Sequence, residues 1–243
     1  MKTKLFALLV SSLLFLFSYA QEDLTLEQVL QNYYQAIGTE KLKNVNTIVQ
    51  YGHLDLGGNT LNRTTYIKRP DKIRSETNYM GNKIIMTFDG QQGWMINPMT
   101  GTNEPQPMDS ITVANIKDQI NFEGLLYNYK DHGYTAQLEG IEDVNGTDAY
   151  VIHLHKPKRD IWFYLDAETF IPIQQKSEAI IKGRKITSTY TFSNYKQING
   201  IAFPFLTTII GGPMGQMQAV ADSIKLNVPL PDSLFTIKPT EKQ

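Results

Sequence analysis

The sequence predicts a mainly β protein with a few helices, built on one long antiparallel sheet with an apolar inner face. Three observations carry this. An amphipathic helix pattern opens the mature chain, two series of short alternating segments follow, and a stretch without alternation separates the two series. A sheet of about eleven or twelve strands must curl, close or split. An apolar inner face incompletely covered by helices would leave a greasy cup, a shape suited to apolar ligands.

Residues 1–20, MKTKLFALLVSSLLFLFSYA, place Lys2 and Lys4 before an apolar core and end in Ser18-Tyr19-Ala20, a small-x-small cleavage site. This is the pattern of a secretory signal peptide. The expected mature chain, residues 21–243, contains no Pro/Gly/Ser-rich linker and reads as one domain. Its first element is LTLEQVLQNYYQAIG, where Leu26, Val29, Leu30, Tyr33, Tyr34 and Ile37 recur at helical spacing, Thr25 and Gln28 form a capping box, and Gly38 stands at the C-cap. From Val45 the period changes to two through TIVQYGHLDL, TLNRTTYIK, KIRSETNYM, NKIIMTF and GWMIN. Residues 109–129 lose this alternation and suggest one or two helical pieces. Strands resume from YTAQLEGIEDV to MQAVADSIKLN, with turns at Asn145-Gly146, Lys182-Gly183 and Asn199-Gly200.

Without Lys2 and Lys4, 21 basic residues face 24 acidic ones, a formal charge of −3, which disfavours nucleic acid as a partner. The chain has no cysteine. It therefore has no disulfide framework, no thiolate metal site and no cysteine to carry a bacterial lipid anchor. The expectation is a soluble, exported, non-lipidated protein.

Signatures of well-known chemistry are missing: there is no G-x-S-x-G, Walker loop, HExxH or dinucleotide fingerprint. His153 and His155 lie two apart on one strand, a spacing that could offer two zinc ligands, but the sequence identifies no third, and two imidazoles on a wetted face is the better reading. His132, beside Asp131, sits in a turn. The segment FDGQQGWMINPMTG reads as a hairpin turn at Asp89-Gly90 with an indole packing inward. No catalytic residue, metal site or cofactor is assigned. The apolar cavity residues expected from alternation are Met86, Phe88, Trp94, Ile96, Tyr190 and Phe192. Arg69 and Arg74 flank a turn in YIKRPDKIR, where they serve either as surface charges or as a guanidinium at the cup rim.

The run RPDKIR followed by FDGQQGWMINPMTG resembles the RP-x-x-(F/I)-R … DG-x-x-(L/G)-W segment of the LolA-type outer-membrane lipoprotein carriers. YYQAIGTEKLKNV, FEGLLYNYKDHGY, LEGIEDVNGTDAYVIHL, FYLDAETFIPIQQ and NYKQINGIAFPF are similar, in the same order, to segments of the broader lipoprotein-sorting group. The resemblance implies a half-open, incomplete β-barrel with a helical lid, LolA/LolB-like. It also implies a periplasmic carrier that takes lipoprotein acyl chains, or a similar amphiphile, toward the outer membrane as a monomer, exchanging them with membrane-associated donor and acceptor proteins. By the same resemblance Arg69 is the lid latch, bonded to the lid while the cavity is empty. The lid itself is Leu26 to Ile37, the 109–129 segment, or both. Two other functions fit less well: a ligand-sensing or protein-interaction module of the same fold, and a metal-dependent hydrolase using His153 and His155.

Overall fold

The computed structural model describes residues 24–181, 183–211 and 215–237. The expected signal peptide and Lys182 of one expected turn lie outside the described residues. Helix α1 (Leu26–Ile37) begins where the sequence places it. The Thr25 hydroxyl accepts from the Gln28 N–H at 3.3 Å, and the Gln28 side chain accepts from the Thr25 N–H at 2.8 Å, closing the capping box. The helix ends at Gly38, whose φ of +79° and contact with the Gly200 backbone leave no room for a side chain. One short turn of helix, α2 (Thr39–Leu42), leads into the sheet.

Thirteen strands follow: β1 (Thr47–Leu56), β2 (Asn59–Lys68), β3 (Lys72–Tyr79), β4 (Asn82–Phe88), β5 (Gly93–Ile96), β6 (Gln106–Pro107), β7 (Thr135–Val144), β8 (Thr147–Lys156), β9 (Arg159–Asp166), β10 (Pro172–Ile181), β11 (Arg184–Ile198), β12 (Ile201–Gly211) and β13 (Met217–Leu226). Helix α3 (Ser110–Gln119) lies between β6 and β7. The count exceeds the expected eleven or twelve because β6 is a two-residue strand inside what reads as a loop. All pair antiparallel in the order β6-β5-β4-β3-β2-β1-β13-β12-β11-β10-β9-β8-β7. The first and last strands are thus neighbours at the centre, and the open edges are β6 and β7. The sheet curls into a half-open barrel, since its two edges do not pair.

Following the register across the ladder separates the faces. Ile48, Ile67, Ile73, Phe88 and Gly93 are successive partners and share one face; Leu165 and Tyr150, Phe163 and Ile152, and Ile161 and Leu154 pair on that same face. Three apolar clusters cover it. Val29, Leu30 and Tyr33 of α1 pack on Tyr150, Ile152, Leu154, Ile161, Phe163 and Leu165. Leu42, Val45 and Phe122 pack on Ile48, Ile201, Phe205, Ala221 and Ile224. Ile116 and Ile120 pack on Ile73 and Phe88. The opposite face is strapped by residues after β13: Val228 and Leu230 accept from Thr47 Oγ1 and Lys68 Nζ, while Leu234 and Phe235 accept from Arg74 and Thr87.

Tyrosines clamp the seat of α1. The Tyr34 hydroxyl donates to the Leu126 carbonyl at 2.9 Å, and its ring meets Tyr127 edge-on. Burial, reinforced by Tyr129 and Tyr127, pushes its phenol from 10.0 up to about 12. The neutral form is therefore favoured by folding, so stability is complete below pH 10 and falls as the pH rises toward 12. Thermal melts across this window, followed alongside tyrosinate absorbance, should show that loss, and Tyr34→Phe should make it shallower.

Candidate functional site

The helices do not cover the inner face evenly. α1 occupies the β8–β9 end and α3 the β3–β4 end, while Phe122 and α2 reach only the lower part of the central strands. Beyond them several inner positions of β1, β2 and β13 are small or polar (Gln50, Gly52, Arg63, Thr65, Ala219 and Ala221), and there the structure holds a cavity of about 180 Å³. Gln50, Gly52, Leu54, Arg63, Thr65, Ile67, Ile73 and Ala219 line it from the inner face. Farther along, Ile209 pairs with Tyr190 and Thr207 with Phe192, continuing that face as a partly exposed floor.

Register decides where the expected cavity residues fall. Met86 and Phe88 do face inward, but beneath α3: Phe88 is fully buried against Ile116 and Ile120, with Met86 packed beside them. Tyr190 and Phe192 also face inward, belong to none of the three clusters and stay partly exposed on the open floor. Trp94 and Ile96 correct the expectation of an inward indole. Trp94 pairs with Thr87 and Ile96 with Ile85, so both lie on the outer face, while Gly93 and Met95 take the inner positions. The four-residue turn, with Asp89 Oδ1 accepting from the N–H groups of Gln91 and Gln92, sets this offset. Asp89-Gly90 forms the turn between β4 and β5.

Of the two arginines, Arg69 turns to the helical cover. Its guanidinium grips Glu123 with two bonds of 2.6 and 3.3 Å, donates to the carbonyls of Val45 at 2.7 Å and Leu42 at 3.1 Å, and lies 4.2 Å over the Phe122 ring. This ties the segment after α3 to the end of α2 and the start of β1. The Glu123 carboxylate is only 13% exposed, so it depends on Arg69 for compensation. Arg74 points the other way, to Glu76 and the C-terminal strap.

The histidine pair gains a third neighbour that sequence spacing does not reveal. Asp160, across the ladder from His155, lies 2.9 Å from His153 Nε2 and 2.7 Å from His155 Nδ1, and Glu139 lies 3.0 Å from His153 Nδ1. Burial raises the Asp160 carboxyl, but hydrogen bonds from both imidazoles outweigh it and hold the group below the usual carboxylate range. Their atoms could hold a metal ion. The cluster lies on the outer face, however, because Ile152 and Leu154 take the inner positions of β8.

No protein-family model matches the chain, and no curated protein matches it. Solved structures do share its fold. A DUF1329 family protein from Desulfovibrio piger aligns with a TM-score of 0.59 at 15% identity, over 86% of this chain and 97% of its own. A LolA superfamily protein from Nitrosomonas europaea aligns at 0.57 and 14%, over 88% and 98%. The fold is LolA-like. A domain from Vibrio parahaemolyticus described as an outer membrane lipoprotein-sorting protein aligns at 0.56 and 12%, over 85% and 97%.

Removing one partner of the Arg69–Glu123 pair leaves the other charge largely buried. Arg69→Met should lower stability by about 3 kcal/mol, and it should raise hydrogen exchange selectively in residues 120–127. Arg69→Met/Glu123→Gln should recover part of that loss. An additive double mutant in a denaturant-unfolding cycle would show that the two side chains are not coupled.

Proposed function

We propose that this protein is a carrier or chaperone that holds the acyl chains of lipoproteins, or of a similar amphiphile, in its cup and delivers them toward the outer membrane. One observation carries the reading: a largely apolar sheet face is covered only in part, and the cover is fastened near its centre by one arginine. An acyl chain lying along Leu54, Ile209, Tyr190 and Phe192 would remove apolar surface from water at about 25 cal/mol per Å². Partial burial on this scale is comparable with the few charge-assisted bonds of Arg69, so entry can loosen the cover and release can restore it. In this role Arg69 is the latch, and the 120–127 segment with α3 is the moving part of the lid.

The likeness to a LolA superfamily protein and to a lipoprotein-sorting domain supports this reading. So does the signal-like segment 1–20, which would place residues 21–243 in the periplasm as one soluble, non-lipidated domain, acting as a monomer between membrane-associated donor and acceptor proteins. The function is binding, without catalysis. A hydrolase centred on His153 and His155 is disfavoured because that cluster and the cup lie on opposite faces.

Native mass spectrometry of the protein purified from the periplasm, followed by lipid extraction, tests the proposal. An acyl species should be present, and an acylated peptide should bind in titration. Ala219→Trp, which fills the cavity, should weaken that binding about tenfold or more, whereas His153→Ala should leave it unchanged. An empty protein that binds no acylated peptide would sink the carrier reading. A loss of binding in His153→Ala equal to that in Ala219→Trp would move the site to the other face.

A further inference from the structure

Arg63 is the charge that neither fold nor latch accounts for. It sits on the inner face of β2, between Leu61 and Thr65 in the alternation, and its cross-strand partner on β1 is Gly52. The next strand contributes Ala221 opposite Gly52 and Ala219 opposite Leu54, so small residues hollow out the sheet beside the guanidinium. Gly52 cannot carry a side chain here, because a Cβ would collide with the Val220 carbonyl. The hollow is the cavity of about 180 Å³, and Arg63 lines it.

The electrostatics of this cavity are one-sided. Arg63 Nε donates to Ser75 Oγ at 2.8 Å, and the guanidinium makes no ion pair among the described residues. Its four terminal N–H donors have no protein acceptor there, and their nitrogens are not sealed from the cavity. Gln50 and Thr65 add polar groups to the lining, but no carboxylate does. The nearby Asp55 and Asp222 turn to His53, at 3.7 and 3.5 Å. Arg69 has Glu123, Arg74 has Glu76, and Lys68 and Lys72 have Asp232. Burial without a counter-charge lowers the Arg63 guanidinium below its ordinary value. Holding a cation this way costs stability that a hydrophobic residue would not.

We propose that the Arg63 cavity binds the acidic head group, carboxylate or phosphate, of a single-chain or larger amphiphile. The planar fork of donors matches two oxygens of such a group, and Leu54 and the floor toward Ile209 and Tyr190 receive its chain. The inference rests on the cup being an amphiphile site and adds the charge of the cargo. A neutral acylglyceryl head would leave the guanidinium uncompensated.

Calorimetric titration of the purified protein with laurate, dodecyl phosphate and dodecyl maltoside, each below its micelle concentration, separates the possibilities. The two acids should bind about tenfold to a hundredfold more tightly than the maltoside. Arg63→Met should abolish that preference with an unchanged or higher Tm, since it removes an uncompensated charge, and Arg63→Lys should keep part of it. A preference for one acid identifies the carboxylate or the phosphate as the head recognised. Equal binding of all three probes overturns the head-group inference but leaves the carrier reading intact. Binding of none overturns both. Binding of inorganic phosphate at Arg63 without binding of either acid would make this a free-anion site, contrary to the proposal. A large drop in Tm in Arg63→Met would show that the arginine is structural, and would likewise count against it.

Discussion

The pairing of β1 with β13 is the constraint from which the rest of the architecture follows. Once the first and last strands meet at the centre, the chain between them can only run outward to one edge and inward from the other. The link from β6 to β7 must then cross the whole width of the sheet. It crosses on the inner face, and its apolar residues meet successive stretches of strands on the way: Ile116 and Ile120 at β3 and β4, Phe122 at the central strands and Leu126 at β8 and β9. The lid is therefore the topological consequence of the strand order, with α1 covering the ground that the crossing leaves.

A single crossing cannot seal a sheet of thirteen strands. The cover is dense at both ends and thin over the upper part of the central strands, where Gly52, Ala219 and Ala221 withdraw from the space and Arg63 enters it. Arg69 stands at the junction between the dense and thin regions. It is held by a carboxylate from the crossing and by the carbonyls of Leu42 and Val45. The two arginines are opposites in chemistry. Arg69 is fully committed to protein partners, whereas Arg63 commits only Nε, to Ser75, and turns its terminal donors to the cavity.

Much of this was legible in the sequence, for identifiable reasons. The capping box of α1, the Gly38 stop and the hairpin turns are local, and local chemistry decides them. The curled sheet followed from the number of alternating segments. What failed was parity across a turn. The four residues from Asp89 to Gln92 shift the alternation, so Trp94 falls outside although Phe88 is inside, and no propensity records that offset. Phe88 and Met86 faced the predicted side, but whether an inward residue lines a cavity or lies under a helix depends on where the crossing segment settles. Asp160 joins the histidines through a ladder that spacing cannot foresee. Arg63 did leave a signal: in TLNRTTYIK it occupies the same parity as Leu61 and Ile67, a charge in an apolar register.

The central seam also bears on the order in which the molecule assembles. The two meanders, β1 to β6 and β7 to β13, are built of neighbouring hairpins that can form as soon as their own residues are available. The seam joins Ile48–Leu56 to Met217–Leu226, so its loop closure spans most of the described residues. During synthesis the cup cannot exist until its final strand has emerged. Before then each half presents an unpaired strand and an uncovered apolar face, and fidelity of folding depends on the two halves finding each other before another chain does.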